Sequence, residues 1–340
     1  MKAAVILSLL LASASAQAAA MSPSAKPRAT HVEISGRNYA RLNEWARVNN
    51  FSVQWSKAGD EIQLSNHLTR LLFRKDSREA QVNGIGVCLS YPMLVRDGAG
   101  CIAQVDLETA VAPVLYPSKN LRPGAVKNIV IDPGHGGKDP GNQLGSHQEK
   151  KYTLLLAEEV ARQLSRAGFK TSLTRTTDTF IDLPVRPDIA RRRGADLFIS
   201  LHWNELPGNS SVSGAQTFCM TPVGASSSNA GGEVIGASRK VGNRNDEKNM
   251  LLAYELQHSL IQHLNVEDRG VRRARFEVLR DAEMPAVLIE GGFMSNPSDA
   301  RRIYDANFRT QMAQAIVAGV IAYKDKVEQP QPVKRPQTSH

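Results

Sequence analysis

From residue 125 onward, short apolar runs alternate with longer stretches whose apolar positions recur every three or four residues. The run Asn128-Ile129-Val130-Ile131-Asp132 reads as a buried strand. Residues 150–167 place Leu156, Val160 and Leu164 in one stripe and stop at Gly168, the pattern of an amphipathic helix with its terminator. By the same reading, strands are predicted over 169–174, 197–201, 215–220, 276–279 and 286–289. Helices are predicted over 186–193, 249–264 and 308–323. This alternation predicts an α/β fold over residues 125–326: a central, mostly parallel sheet flanked by helices.

Residues 28–118 have a different texture. Helical spacing over 39–48 is followed by short alternating segments at 51–55, 61–64 and 71–74 and an Asn83-Gly84 turn signal. A further segment at 91–95 precedes a helical stretch near 107–114. These features predict a small α+β accessory domain with no cluster of catalytic residue types, and its default role is binding or spacing. Its short strands and Val82-Asn83-Gly84 turn resemble the small stalk domains of the copper amine oxidase N-terminal type. A loop-rich break over 116–124, with Pro117, Pro123 and Gly124, separates it from the second block.

The two ends add a compartment. Lys2, an uncharged apolar run from Ala3 to Ala12 and small-x-small triplets up to Ala20 have the layout of a cleaved secretory signal over 1–20. The apolar run is shorter than a membrane-spanning helix requires, so no stable membrane anchor is expected. Residues 327–340, with three prolines and little to bury, predict a disordered tail. The 340-residue chain carries a net charge of +9, which favours an anionic partner. Export turns that preference away from nucleic acid and toward an envelope polymer, in a periplasmic or cell-envelope location. Of the three cysteines, Cys88 and Cys101 are near enough in sequence to pair, leaving Cys219 as a buried thiol; equally, all three fit as small core residues.

Three predicted strands run into a polar residue of a chemically useful type. The first leads into Pro133-Gly134-His135-Gly136-Gly137, the second into His202 and the third into Glu290. Sites in open α/β sheets form at the carboxyl ends of strands, so these residues can converge. Glu149 heads the helix after the His135 loop, at the rim of the same end. Two histidines and a carboxylate form a zinc-hydrolase ligand set with one position left for water. A further carboxylate is needed to carry the proton to the leaving amine, and with Glu149 as ligand this falls to Glu290. His147, two residues before Glu149, is a rival ligand. His258 and His263 lie five apart on a predicted helix, do not share a face, and read as structural.

The segment from Ile129 to Gly141 closely resembles the opening motif of the zinc-type N-acetylmuramoyl-L-alanine amidases, the Amidase_3 family. Thr174-Arg175-Thr176-Thr177-Asp178 with Leu183 and Arg186 resembles the next block, and Phe198 to Asn204 the second histidine motif. Asp268-Arg269-Gly270-Val271, Phe276 to Arg280 and Met284 to Pro297 follow in the family's order. The resemblance implies zinc on His135, Glu149 and His202, Glu290 as the catalytic residue, and substrate contacts from Asn204 and Arg186. It implies cleavage of the amide between N-acetylmuramic acid and the L-alanine of the stem peptide, so the expected partner is peptidoglycan. The family often has a small residue where Trp203 stands, which suggests a narrower floor or rim. Some relatives cover the zinc with a helix until an activator protein removes it. In this chain the corresponding segment, residues 221–249, is rich in Gly, Ser and Asn, patterned weakly as helix over 232–241, and is expected to be a mobile loop near the cleft. A zinc hydrolase for another acyl amide and a non-catalytic wall-binding protein are the competing readings.

Overall fold

The computed structural model describes residues 31–117, 125–229 and 238–328. The expected export signal at 1–20, most of the 116–124 break and residues 329–340 lie outside the described residues. Val327 and Glu328, expected in the tail, instead complete the helix Ala306–Glu328. Glu328 Oε1 accepts a hydrogen bond from the Val126 backbone at 2.7 Å, tying the end of that helix to the start of the second block.

Nine strands precede residue 117: β1 (His31–Ile34), β2 (Arg37–Arg41), β3 (Ser52–Trp55), β4 (Glu61–Ser65), β5 (Arg70–Arg74), β6 (Glu79–Val82), β7 (Ile85–Cys88), β8 (Leu94–Arg96) and β9 (Ala99–Ala103). Eight follow: β10 (Asn128–Pro133), β11 (Gln143–Leu144), β12 (His147–Gln148), β13 (Lys170–Leu173), β14 (Leu197–Asn204), β15 (Ala215–Met220), β16 (Asp268–Ala274) and β17 (Ala286–Phe293). The expected 39–48 helix is Leu42–Val48 alone. Tyr39 and Ala40 are taken by β2, where they pair with Ala103 and Ile102.

Strands β13, β10, β14 and β17 run parallel, as the strand–helix alternation predicts. Strand β15 then turns antiparallel to β17, and β16 is parallel to β15. The sheet does not end there. Strand β7 joins β16 in parallel through Val271 and Val87, and β6, β5, β4 and β3 continue outward as an antiparallel meander. The two blocks therefore share one eleven-stranded sheet. Glycines make the junction possible: a Cβ on Gly270, whose φ is +79°, would lie 2.8 Å from the Gly86 backbone.

Strand alternation sorts the side chains of the second block onto two faces. Ile129, Ile131, Ile199, Leu201, Trp203, Val287 and Ile289 share a core with the helices Glu149–Arg166, Asp246–His263 and Ala306–Glu328, and this core continues into Leu71, Phe73, Val82 and Val87 of the first block. The opposite face carries Val130, Phe198 and Leu288 under the shorter helices Val185–Arg192 and Glu277–Arg280. His202 and Glu290 are in phase with this second set.

One further expectation changes, and one open alternative is decided. Residues 276–279, read as a strand, form the start of a short helix, Glu277–Arg280, whose Val278 and Leu279 are buried under the sheet; four residues of mixed polarity cannot distinguish the two periods. All three cysteines are free. Cys88 lies on β7 of the large sheet and Cys101 on β9 of the four-stranded sheet formed by β1, β2, β9 and β8, so the two do not pair.

Candidate metal centre

The site forms where β10, β14 and β17 end. His135 leaves β10 in a left-handed conformation, φ 61°, which is uncommon for a residue with a Cβ. The surroundings impose it. Arg186 donates to the carbonyls of Pro133 and His135 at 2.9 Å each, and Arg175 donates to the carbonyls of Pro133 and Gly134 at 3.0 and 2.8 Å. The loop then closes on itself through backbone bonds between Gly136 and Asp139. His135 Nδ1 meets Asp139 Oδ2 at 2.8 Å, which turns Nε2 toward the interior of the site.

Glu149 is the first residue of its helix and is 1% exposed. Its oxygens accept from the backbone N–H groups of Trp203 (3.0 Å) and Asn142 (2.9 Å). Oε2 also faces His135 Nε2 at 3.1 Å, and Oε1 faces His202 Nδ1 at 3.0 Å. The two imidazole nitrogens are 3.2 Å apart. Burial alone would raise the Glu149 carboxyl, but the two histidine rings that face it overcome this and hold the group well below the usual carboxylate range.

This donor set fits a divalent metal. Two ring nitrogens and a carboxylate oxygen lie within 4.8 Å of one another, and nitrogen with oxygen is a zinc-type combination. A His135 that carries its proton on Nδ1, toward Asp139, turns the lone pair of Nε2 to Glu149 Oε2, an arrangement that accommodates a cation between them. A carboxylate behind a ligating histidine is also the usual outer support of such a site.

Glu290 is directly opposite His202 in the β14–β17 pairing and on the same face. Its Oε2 is shielded from solvent and has no hydrogen-bond partner among the described residues. Burial first, and the charge of Glu149 second, push its carboxyl well above the ordinary value. A carboxyl that gains and loses a proton beside a metal site suits general acid–base work.

The rival ligand is placed elsewhere. His147 is hydrogen-bonded through Nδ1 to the Tyr152 hydroxyl and stacks on Tyr304 at 3.8 Å between ring centroids. Trp203 is also away from the cleft. It is fully buried on the opposite sheet face, where its ring fits against Gly291 and Met312, so it forms neither floor nor rim. Residues 221–229 and 238–249 attach at the far end of the sheet: Cys219 is opposite Val287, and Asn249 Oδ1 accepts from the Ala286 backbone. The described parts of the expected cleft loop thus lie at the other end of the strands from His202 and Glu290.

Arg186, expected to contact substrate, is 2% exposed. Besides the two loop carbonyls, it donates to the Ile181 carbonyl and to Asp132 Oδ1 at 3.0 Å each. It shapes the His135 loop from beneath and presents no donor to the cleft. Asp132 also accepts from Thr174 and Ser200. Replacing Arg186 by methionine would strand the buried Asp132 charge, at an expected cost of about 3–5 kcal/mol, read as a lower denaturant midpoint. Unchanged stability with weakened substrate affinity would instead return Arg186 to the cleft. Asn204 ends β14, and its Oδ1 accepts from the Glu205 backbone.

The sequence reading missed Asp132, Asp139, Arg175 and Ser200 as supports. Asp132 and Ser200 had a signal: each is a polar residue inside an apolar strand, which implies a buried partner. Two glycines have exact packing duties. A Cβ on Gly134 would sit 2.3 Å from the His202 ring, and one on Gly141 would sit 2.6 Å from both Glu149 Oε2 and His135 Cδ2. Gly134→Ala is therefore expected to displace His202 and lower bound metal to well under one ion per chain by elemental analysis. Full metal content would contradict this packing.

A profile of the N-acetylmuramoyl-L-alanine amidase family matches residues 129–322. Amidase AmiC of Neisseria meningitidis serogroup B is 34% identical over 229 residues, which are 59% of this chain and 55% of that protein. Amidase AmiA of Escherichia coli K12 is 34% identical over 230 residues, 60% of this chain and 78% of that protein. The chain thus spans about half the length of the first relative and over three quarters of the second. The solved structure of amidase AmiC2 of Nostoc punctiforme is 32% identical, covers 59% of this chain and 98% of its own, and superposes with a TM-score of 0.49. The profile covers more than half of the chain and contains all four site residues: the chain belongs to the N-acetylmuramoyl-L-alanine amidase family.

Proposed function

We propose that this chain is an exported zinc amidase that cleaves peptidoglycan between N-acetylmuramic acid and the L-alanine of the stem peptide. In this reading it acts in the periplasm or cell envelope, with residues 28–118 as an accessory module and 125–326 as the catalytic one. The observation that carries the reading is the convergence of His135, Glu149 and His202, with Glu290 paired beside His202. No helix among the described residues is long and apolar enough to cross a membrane.

Zinc bound there would polarise the scissile carbonyl and acidify a water molecule. The chain's own residues do the rest. Asp139 keeps the His135 proton at Nδ1 and fixes the ring. Glu149 brings negative charge to the site and is locked by two backbone donors. Glu290 Oε2 takes the proton of the attacking water and returns it to the leaving amine nitrogen. Asn204, at the end of the His202 strand, orients the substrate through its side-chain amide.

Digestion of purified peptidoglycan tests the reading. The expected products are free stem peptides with L-alanine as the new N-terminus and intact glycan strands. Cut cross-links with muramyl amides intact would assign the site to a different acyl amide.

A further inference from the structure

The sheet face that bears His202 and Glu290 does not stop at the catalytic block. Pairing registers carry it sideways, perpendicular to the strands. Glu290 is opposite Gln216 on β15. Val271 is opposite Val87, which places Gly86 beside Gly270. Gly86 is opposite Gln81, Gln81 opposite Leu72, Leu72 opposite Gln63, and Gln63 opposite Gln54. Across β7 to β4, the residues of this face are at least partly exposed, while their neighbours Leu71, Phe73, Ala80, Val82, Val87, Ile62 and Leu64 fill the core on the other side. Leu72 apart, the outer row is polar, and among the described residues the side chains of Gln54, Gln63 and Gln81 make no hydrogen bond within the chain.

The junction of the two blocks makes a groove in this face, about 350 Å³ in volume, whose polar lining includes Gln81, Arg74, Arg269 and Arg272 together with the carboxylates Glu79, Glu267 and Asp268. Gly86 and Gly270 leave its floor without side chains. Arg272 has no carboxylate within ion-pair distance among the described residues, whereas Arg269 pairs with Glu267 at 3.8 Å and Arg74 with Glu61 and Glu79 at 2.7 and 3.7 Å. At 4.7–4.9 Å per strand, Gln81 is about 19 Å from Glu290.

We propose that this row, from Glu290 through the junction groove to Gln81 and Gln63, is a binding track for the glycan strand of the wall polymer. The inference rests on the amidase reading of the site. Continuity with the catalytic cleft selects the occupant: the polymer cut at Glu290 must extend beyond it, and strand pairing carries this face outward from Glu290, past the buried Gln216, to the groove. Glutamine amides, together with the arginines and carboxylates of the groove over a glycine floor, suit hydroxyl and N-acetyl groups, and an apolar peptide would find little area here. The sheet twists by roughly 20–25° per strand, so the strand follows a ramp that leads away from the cleft.

The test is sedimentation of the full chain with insoluble purified peptidoglycan, using Glu290→Gln protein so that no substrate is consumed. Adding Gln81→Ala and Gln63→Ala is expected to weaken binding about tenfold, from the loss of two hydrogen-bonding groups, with an unchanged melting temperature. Soluble glycan strands stripped of stem peptides are expected to compete with binding of the parent protein. Unchanged binding in the double variant overturns the proposal, as does a loss of binding that tracks a fallen melting temperature. Competition by stem peptides and not by glycan overturns the choice of occupant. Failure of wild-type protein to release stem peptides would instead defeat the amidase reading, which these binding measurements do not test.

Discussion

Glu290→Gln is expected to lower kcat on peptidoglycan by about 10²–10⁴-fold, the usual contribution of a positioned acid–base group, while the melting temperature holds or rises. The two halves of this prediction share one cause. Glu290 Oε2 is shielded, has no hydrogen-bond partner among the described residues and is close enough to Glu149 to feel its charge. Such a group costs stability and is retained for what its proton does. Glutamine keeps the shape and removes both the titration and the charge. Retained activity would take the proton-transfer role away from Glu290. A large fall in stability would show that the carboxyl has a structural partner.

Removing the metal with a chelator is expected to abolish hydrolysis and lower the melting temperature, with both restored by zinc. Metal that binds only the folded chain stabilises it by about 4 kcal/mol at a thousandfold excess over Kd. His202→Ala is expected to mimic the stripped protein, since it removes one of the three donors that converge within 4.8 Å. His147→Ala separates ligand from bystander. It should keep a full complement of metal and lose about 1 kcal/mol or more of stability through the broken Tyr152 bond and the lost Tyr304 stacking. Loss of metal in His147→Ala would reverse the assignment of Glu149.

The sequence carried the central strands and their chemistry well. Buried parallel strands read as apolar runs, so 128–132, 197–201 and 286–289 were plain, and the polar residues at their ends stood out. What escaped was non-local. Nothing in the sequence of β7 announces that it pairs with β16, because that depends on two glycines, Gly86 and Gly270, approaching across 184 positions. The same limit applied to Arg186: a motif marks it as important, but only the fold shows it beneath the His135 loop, spending its donors on Asp132 and three carbonyls. Trp203 was misplaced because its face is set by alternation with His202: one residue along the strand is the opposite side of the sheet. The loop at 221–249 was assigned to the cleft from the family resemblance, which does not give the direction of β15. Its reversed direction sends the chain to the far end.

The most direct test of the metal assignment is anomalous scattering from crystals of the zinc-loaded protein, measured on both sides of the zinc absorption edge. The account predicts one zinc peak per chain, bonded to His135 Nε2, His202 Nδ1 and the Glu149 carboxylate, with Glu290 beside it and unligated. A peak that recruits His147, or no peak between β10 and β14, would contradict it.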